Sequence, residues 1–160
     1  MRALLSALFI LFSALVSAEP TVDLVRVLKS GHKLQLISSG EVLHEFPIAL
    51  GSNPIGHKMQ AGDGKTPEGN YTLDFKKSDS AFYKAFHISY PNAEDIASAK
   101  DRGVSPGGQI MIHGQKNGLR WLSNIIQRFD WTNGCIALTN HDIDVVWSLV
   151  KEGTKVEIKS

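Results

Sequence analysis

Past residue 23, apolar and polar positions alternate with a period of two. Leu24 to Leu28 and Leu34 to Ile37 read as two short strands joined by a turn at Ser30-Gly31. Ser39-Gly40 then turns the chain into a third strand, Val42 to Leu50, in which Val42, His44, Phe46 and Ile48 share one face and Leu43, Glu45 and Pro47 the other. Pro47 has no amide proton for a ladder, which predicts an edge position or a bulge there. Alternation lapses from Gly51 to Gly69, where five glycines and two prolines predict a long loop, and loops of that length in a compact domain tend to be functional. It resumes in Tyr71 to Phe75 and in Phe86 to Tyr90.

The period then changes. Asn92 is placed to accept the amide of Asp95, Glu94 and Asp95 put negative charge in a first turn, and Gly103 ends the helix so begun. Pro106-Gly107-Gly108 leads into a strand, Gln109 to Ile112, that delivers His113 at its end. Leu122, Ile125, Ile126 and Phe129 are spaced as one face of a helix, and Ile143, Val146, Trp147 and Val150 as that of another. Thr139 and Asp142 form a variant capping box for the second, Gly153 stops it, and Val156 to Ile158 closes the chain as a strand. Strands come first and helices late, which is the order of a β-rich α+β domain.

The first eighteen residues stand apart. Arg2 precedes an apolar run, Ala3 to Val16, and Val16-Ser17-Ala18 fits a small-x-small cleavage site, so residues 1–18 read as a signal peptide and 19–160 as one domain. The run of roughly 14 residues is short of the ~20 that a membrane span needs, so no span is expected after cleavage. Removing Arg2 leaves sixteen basic and sixteen acidic residues, a balance that argues against nucleic acid or an anionic membrane as partner.

An exported chain with a single cysteine has no internal disulfide and carries an oxidisable thiol into an oxidising compartment. From the count alone two readings stand: a buried inert thiol, or a nucleophile. The nucleophile reading needs a base, and His113-Gly114 at a strand end is a candidate partner for Cys135 in Trp131-Thr132-Asn133-Gly134-Cys135-Ile136. Imidazole takes the thiol proton and returns it to the leaving amine. Gly134 permits a tight turn before the nucleophile, and the amides of Gly134 and Cys135 are candidate donors to the developing oxyanion.

These residues resemble the L,D-transpeptidase family of the YkuD type, whose mark is His-Gly after a strand and a later Ser/Thr-x-Gly-Cys. Gly62-Asp63-Gly64-Lys65-Thr66-Pro67-Glu68-Gly69 and Ser89-Tyr90-Pro91-Asn92 are similar to its YafK-like branch. The resemblance runs from about Leu24 to Ile158. It implies a mostly antiparallel β sandwich or barrel-like fold with a few short helices. It also implies a periplasmic enzyme of a Gram-negative cell with Cys135 as nucleophile, His113 as general acid and base, and Gly134 supplying an oxyanion amide. Gly114, Trp131, Thr132 and Asn133 would meet the substrate, a peptidoglycan stem peptide attacked at its diaminopimelate carbonyl. No cofactor and no metal are implied. The thioester would pass to an amine (transpeptidation) or to water (hydrolysis), including release of a peptidoglycan-linked lipoprotein.

One departure bears on this choice. Many family members carry arginine two positions after the cysteine, where this chain has Ala137, so the carboxylate partner is missing; Lys116, Arg120 and Arg128 are candidate replacements. Two readings of other classes remain. His113, Cys135 and His141 can be drawn as a metal site, although no Cys-x-x-Cys or His-Glu-x-x-His accompanies them. Trp121, Trp131 and Trp147 can be drawn as a sugar-stacking surface of a non-catalytic wall-binding module.

Amino-terminal sequencing of the exported protein tests the leader: the expected first residue is Glu19, and retention of Ala3 to Val16 would refute it.

Overall fold

The computed structural model describes residues 21–160; the leader expected over residues 1–18 lies outside the described residues. Eight strands, β1 Leu24–Leu28, β2 Lys33–Ser38, β3 Glu41–Pro47, β4 Gly69–Ser80, β5 Tyr83–Ile88, β6 Met111–His113, β7 Ile136–Ala137 and β8 Lys155–Lys159, form one mixed sheet in the order β3-β2-β1-β8-β4-β5-β6-β7. Only β1 with β8 and β6 with β7 run parallel; the other pairings are antiparallel. The helices are α1 Ala93–Asp101, a single turn α2 Ser123–Ile126, and α3 Asn140–Leu149. The β-rich α+β class expected from the sequence is the fold observed.

The sheet curls until its edges meet. After β3 the chain leaves β2 and turns to β7: Ala49 donates to Ala137 O at 2.9 Å and Ala137 to Ala49 O at 2.8 Å. Ser52 then donates to Thr132 O at 2.9 Å, and Thr132 to Leu50 O at 3.1 Å. The closure joins the segment that follows β3 to the segment that precedes β7, giving the barrel-like form. Inside it lie Val25, Val27, Leu34, Leu36, Leu73, Phe86, Ile112 and Ile136, all fully buried. Helix α3 adds Ile143 and Val146 to this core, each worth about 1.5–3 kcal/mol of burial before entropy is subtracted.

Local signals explain the helix ends. Asn92 Oδ1 accepts the amides of Glu94 and Asp95 while Asp95 accepts the Asn92 amide, a complete capping box. Thr139 Oγ1 accepts the Asp142 amide at 3.2 Å to start α3. Gly103 and Gly153 follow their helices with positive φ, as the sequence predicts.

The structure corrects the pattern in four places. β3 does lie at the sheet edge, but its bulge is opposite Leu36/Ile37, so Leu43 packs on the core while Val42 is 49 % exposed and the two-residue period breaks. β4 continues through Lys76 to Ser80, a polar run that pattern alone hides. The strand expected at Gln109 begins at Met111, because Gln109 sits at φ 55°. The helix expected from Leu122 to Phe129 is one turn long, and its stripe does not reach the core: Ile125 and Phe129 are 58 % and 64 % exposed.

The closure sets a steric test. A Cβ on Gly51 would meet Gly64 O at 2.1 Å and Gly134 Cα at 3.0 Å, with backbone on both sides and nothing able to swing away. Gly51→Ala is expected to cost about 1–3 kcal/mol, lowering Tm by roughly 4–12 °C. Gly31→Ala, whose Cβ would meet only side-chain atoms at 3.6 Å or more and whose φ lies outside the left-handed region, is the reference and should cost no more than about 1 kcal/mol. Equal melting of the two variants would remove Gly51 from the closure.

Candidate active site

The short parallel pair β6 and β7 brings the two chemical residues together. Ile112 pairs with Ile136 and His113 with Ala137, so Cys135 enters β7 beside the strand that ends in His113. Both line a cavity of about 840 Å³, whose other walls include Phe82, Met111, Trp131 and Asn133. Cys135 is a free, half-buried thiol, and His113 is buried.

The imidazole is held firmly. Its Nδ1 lies 2.6 Å from Gly114 O, and since a carbonyl can only accept, Nδ1 carries the proton and Nε2 is left as the basic nitrogen. Phe82 and Trp131 pack on the ring with centroids at 4.7 and 5.8 Å. Burial pushes the His113 pKa down, opposed by the bond to Gly114 O, so the ring rests neutral near pH 7. Burial likewise pushes the Cys135 thiol up, while the Met111 backbone and the Lys58 charge pull it back in part. The thiol donates to Gln109 O at 3.6 Å, not to the imidazole. Gln109 is a non-glycine residue in the left-handed region, a conformation that costs about 1–3 kcal/mol unless its surroundings impose it.

The remaining expected site residues divide. Trp131 and Asn133 line the cavity, and Asn133 is exposed there. Thr132 lines it too, but its hydroxyl is committed to the loop, accepting the Gly134 amide at 3.1 Å and donating to Cys135 O at 2.7 Å. The Gly134 amide, expected to serve an oxyanion, is therefore already engaged. Among the described residues no hydrogen bond takes the Cys135 amide, the other candidate. Gly134 has a steric task instead: at φ 124°, a Cβ there would meet Lys65 O at 2.5 Å. Gly114, expected to touch substrate, packs away from the cavity, where a Cβ would meet Asn140 Oδ1 at 2.8 Å.

Of the candidate cations, Lys116 lines the cavity, Arg128 is exposed elsewhere, and the Arg120 side chain lies outside the described structure. His141 is exposed on α3 and does not line the cavity, and among the described residues no three His, Cys, Asp or Glu side chains gather as a metal site would require. The three tryptophans do not converge: Trp147 packs on Phe86 and Lys76 against the core, and Trp121 is 79 % exposed outside the cavity wall. Sequence reasoning missed Phe82, whose only signal was proximity to a turn, and Gln109, which its strand pattern concealed.

Comparison with known proteins agrees with this geometry. Residues 22–158 match the sequence model of the YkuD L,D-transpeptidase catalytic domain. The chain is 34 % identical over 134 residues to YafK of Escherichia coli K12, to which L,D-transpeptidase activity is ascribed but not established; the match covers 82 % of this chain and 44 % of YafK. Among solved structures, Pgp2 of Campylobacter jejuni, described as a helical cell shape determining protein, superposes with a TM-score of 0.65 at 27 % identity, covering 87 % of this chain and 48 % of Pgp2. Bd1075 of Bdellovibrio bacteriovorus shares the fold at 22 % identity and a TM-score of 0.61, over 88 % of this chain and 48 % of that one. The chain thus spans about half the length of these relatives.

A neutral resting pair has a kinetic signature. In the free protein the rate of Cys135 alkylation by iodoacetamide should keep rising with pH to beyond the ordinary thiol value of 9.0, because only the thiolate reacts and burial disfavours it. A reactivity plateau near pH 6 would reveal a preformed thiolate and imidazolium and overturn the neutral assignment.

Proposed function

The chain belongs to the L,D-transpeptidase catalytic domain family, and from that premise we propose that it carries out cysteine-dependent acyl transfer on peptidoglycan stem peptides in the periplasm. The observation that carries the reading is the convergence of Cys135 and His113 on one cavity, with the His113 tautomer set by Gly114 O. His113 Nε2 takes the thiol proton as Cys135 Sγ attacks the carbonyl of the third, diaminopimelate residue. The Cys135 amide is the candidate donor to the oxyanion. Collapse of the tetrahedral adduct breaks the C–N bond, His113 returns the proton to the leaving amine, and a thioester remains. An incoming amine, losing its proton to His113, displaces Sγ to give a new amide and the free thiol; water in its place gives the acid.

Stem peptides lie outside the cytoplasmic membrane, which together with the expected leader supports the periplasmic placement. Among the described residues no helix is long and apolar enough to cross a membrane. The likeness to Pgp2 supports a role in cell shape, since changing the stem peptides changes how the wall is joined.

Cys135→Ser tests the reading. Wild type and variant are assayed on diaminopimelate-containing muropeptides and on lipoprotein-bearing sacculi, with products read by mass spectrometry as cross-linked or exchanged species, hydrolysed acids, or released protein. The variant should lose activity by several powers of ten while its stability changes by only about 1–2 kcal/mol. Near wild-type turnover by the folded variant would show that the thiol is not the nucleophile.

A further inference from the structure

The tautomer of His113 depends on one peptide group, and the sheet does not hold that group. The preceding peptide is fixed by strand neighbours: His113 O accepts the Leu138 amide at 2.8 Å, and the Gly114 amide donates to Lys84 O at 3.1 Å. The next peptide, between Gly114 and Gln115, lies past the end of β6, and its carbonyl is the one that meets His113 Nδ1 at 2.6 Å. The N–H of the same peptide, on Gln115, donates to Asn140 Oδ1 at 2.8 Å. One amide thus stands between two side chains, His113 on its oxygen and Asn140 on its nitrogen. An acceptor on the N–H makes the carbonyl a better acceptor in turn, because hydrogen bonds in such a chain polarise one another.

Asn140 stands on a rigid base. It is the first residue of α3, whose start is set by Thr139 Oγ1 and whose Ile143 and Val146 are buried in the core. Its approach also accounts for the glycine after His113, since a Cβ on Gly114 would meet Asn140 Oδ1 at 2.8 Å. The buried Gln115 side chain donates to Gln127 Oε1 at 2.6 Å and to Leu138 O at 3.0 Å, but those bonds hold the side chain and not the plane of its peptide. With glycine on one side, that plane is free to turn over unless its N–H is held. Turned over, it would present an N–H to Nδ1 in place of the carbonyl. Nδ1 would then have to accept, the proton would sit on Nε2, and no lone pair would remain there to take a proton from the thiol.

Resting on the acyl-transfer reading above, we infer that Asn140 is a positioning residue for the base: by holding the Gln115 N–H it keeps the Gly114 carbonyl turned to His113 Nδ1, and so keeps Nε2 free to accept the thiol proton. Asn140 does not line the cavity of Cys135, so its influence passes through the peptide and not through contact with substrate. The charged side chains of that cavity wall, Lys77, Asp79 and Lys116, lie on other segments and are untouched by a change at Asn140. Lys84, whose carbonyl takes the Gly114 amide, pairs its own charge with Asp144 at 2.6 Å.

The test reads the proton itself. Long-range proton–nitrogen correlation spectra of the imidazole at about pH 8, above the ordinary histidine value, tell the Nδ1–H tautomer from the Nε2–H one. Wild type should show Nδ1–H. In Asn140→Ala the Nε2–H form should appear, and kcat on diaminopimelate-containing muropeptides should fall by about ten- to a hundredfold with KM unchanged, short of the ~10⁴ that a wholly wrong tautomer costs. Asn140→Asp, whose carboxylate also accepts, should keep the Nδ1–H form and most of kcat. Circular dichroism and Tm establish that the variants fold, and Asn140→Ser, too short to reach the Gln115 amide, replaces the alanine variant if that does not. An Nε2–H tautomer in wild type would overturn the inference, as would an undisturbed Nδ1–H tautomer in the folded alanine or serine variant, or failure of both variants to fold, which would make Asn140 a structural residue. Failure of wild type to turn over any muropeptide would overturn the acyl-transfer reading, while the spectra, which need no substrate, would still decide whether Asn140 sets the tautomer.

Discussion

Two backbone hydrogen bonds between Ala49 and Ala137 hold the cleft in being. β7 is two residues long and β6 three, too short to persist as a pair by themselves. Pairing on its far side with the segment after β3 turns β7 from an edge into an interior strand, and the loop before it is then fixed at both ends. Asp130 reinforces the join, accepting the Leu50 amide at 2.8 Å and meeting His32 Nε2 at 2.9 Å. Beside this join the loop before β4 packs so closely that a Cβ on Gly51 would meet Gly64 O and one on Gly134 would meet Lys65 O, which leaves no room for a side chain at either position. The position of the thiol is thus a property of sheet closure, and only secondarily of the turn that carries it.

The same enclosure decides the charge state. Burial disfavours both the thiolate and the imidazolium, so the resting pair is neutral and Cys135 spends its hydrogen bond on Gln109 O. In the acyl-transfer reading, charge separates only as the substrate arrives, when the carbonyl oxygen shares the negative charge and the Met111 backbone and Lys58 favour what remains on sulfur. A thiol that stays protonated until then is also less exposed to oxidation.

The residues that line the cleft were more legible in the sequence than the architecture around them. His113, Cys135, Trp131 and Asn133 could be singled out because reactive side chains are few and glycines mark the turns that present them. The capping residues Asn92 and Thr139 were legible for a similar reason: a cap is a contact between neighbours in sequence. What the pattern hid depends on partners distant in the chain. Nothing local tells that Gly114 packs against Asn140. The apolar spacing from Leu122 to Phe129 satisfied a helical template, yet the core was already filled by α3 and the sheet, leaving Ile125 and Phe129 at the surface. The bulge in β3 shows the same limit, for one extra residue reverses every later side chain and leaves no mark in composition.

The loop from Gly51 to Glu68 shows how much of a chain's freedom can be removed without regular structure. Lys29, buried at the end of β1, uses all three protons on it: Gly56 O at 2.6 Å, Thr66 O at 3.0 Å and Glu68 Oε1 at 2.8 Å. His57 accepts the Glu68 amide through Nδ1, and its Nε2 lies 3.1 Å from Asp95 Oδ1, which ties the loop to α1. Asp63 takes three amides of the loop itself. Lys29 is buried and Asp63 and His57 are partly so, each beside backbone groups that no helix or strand satisfies, so the two deficits offset each other. Glycines and prolines give the loop its path, and the charged side chains hold it there as a fixed wall of the cleft.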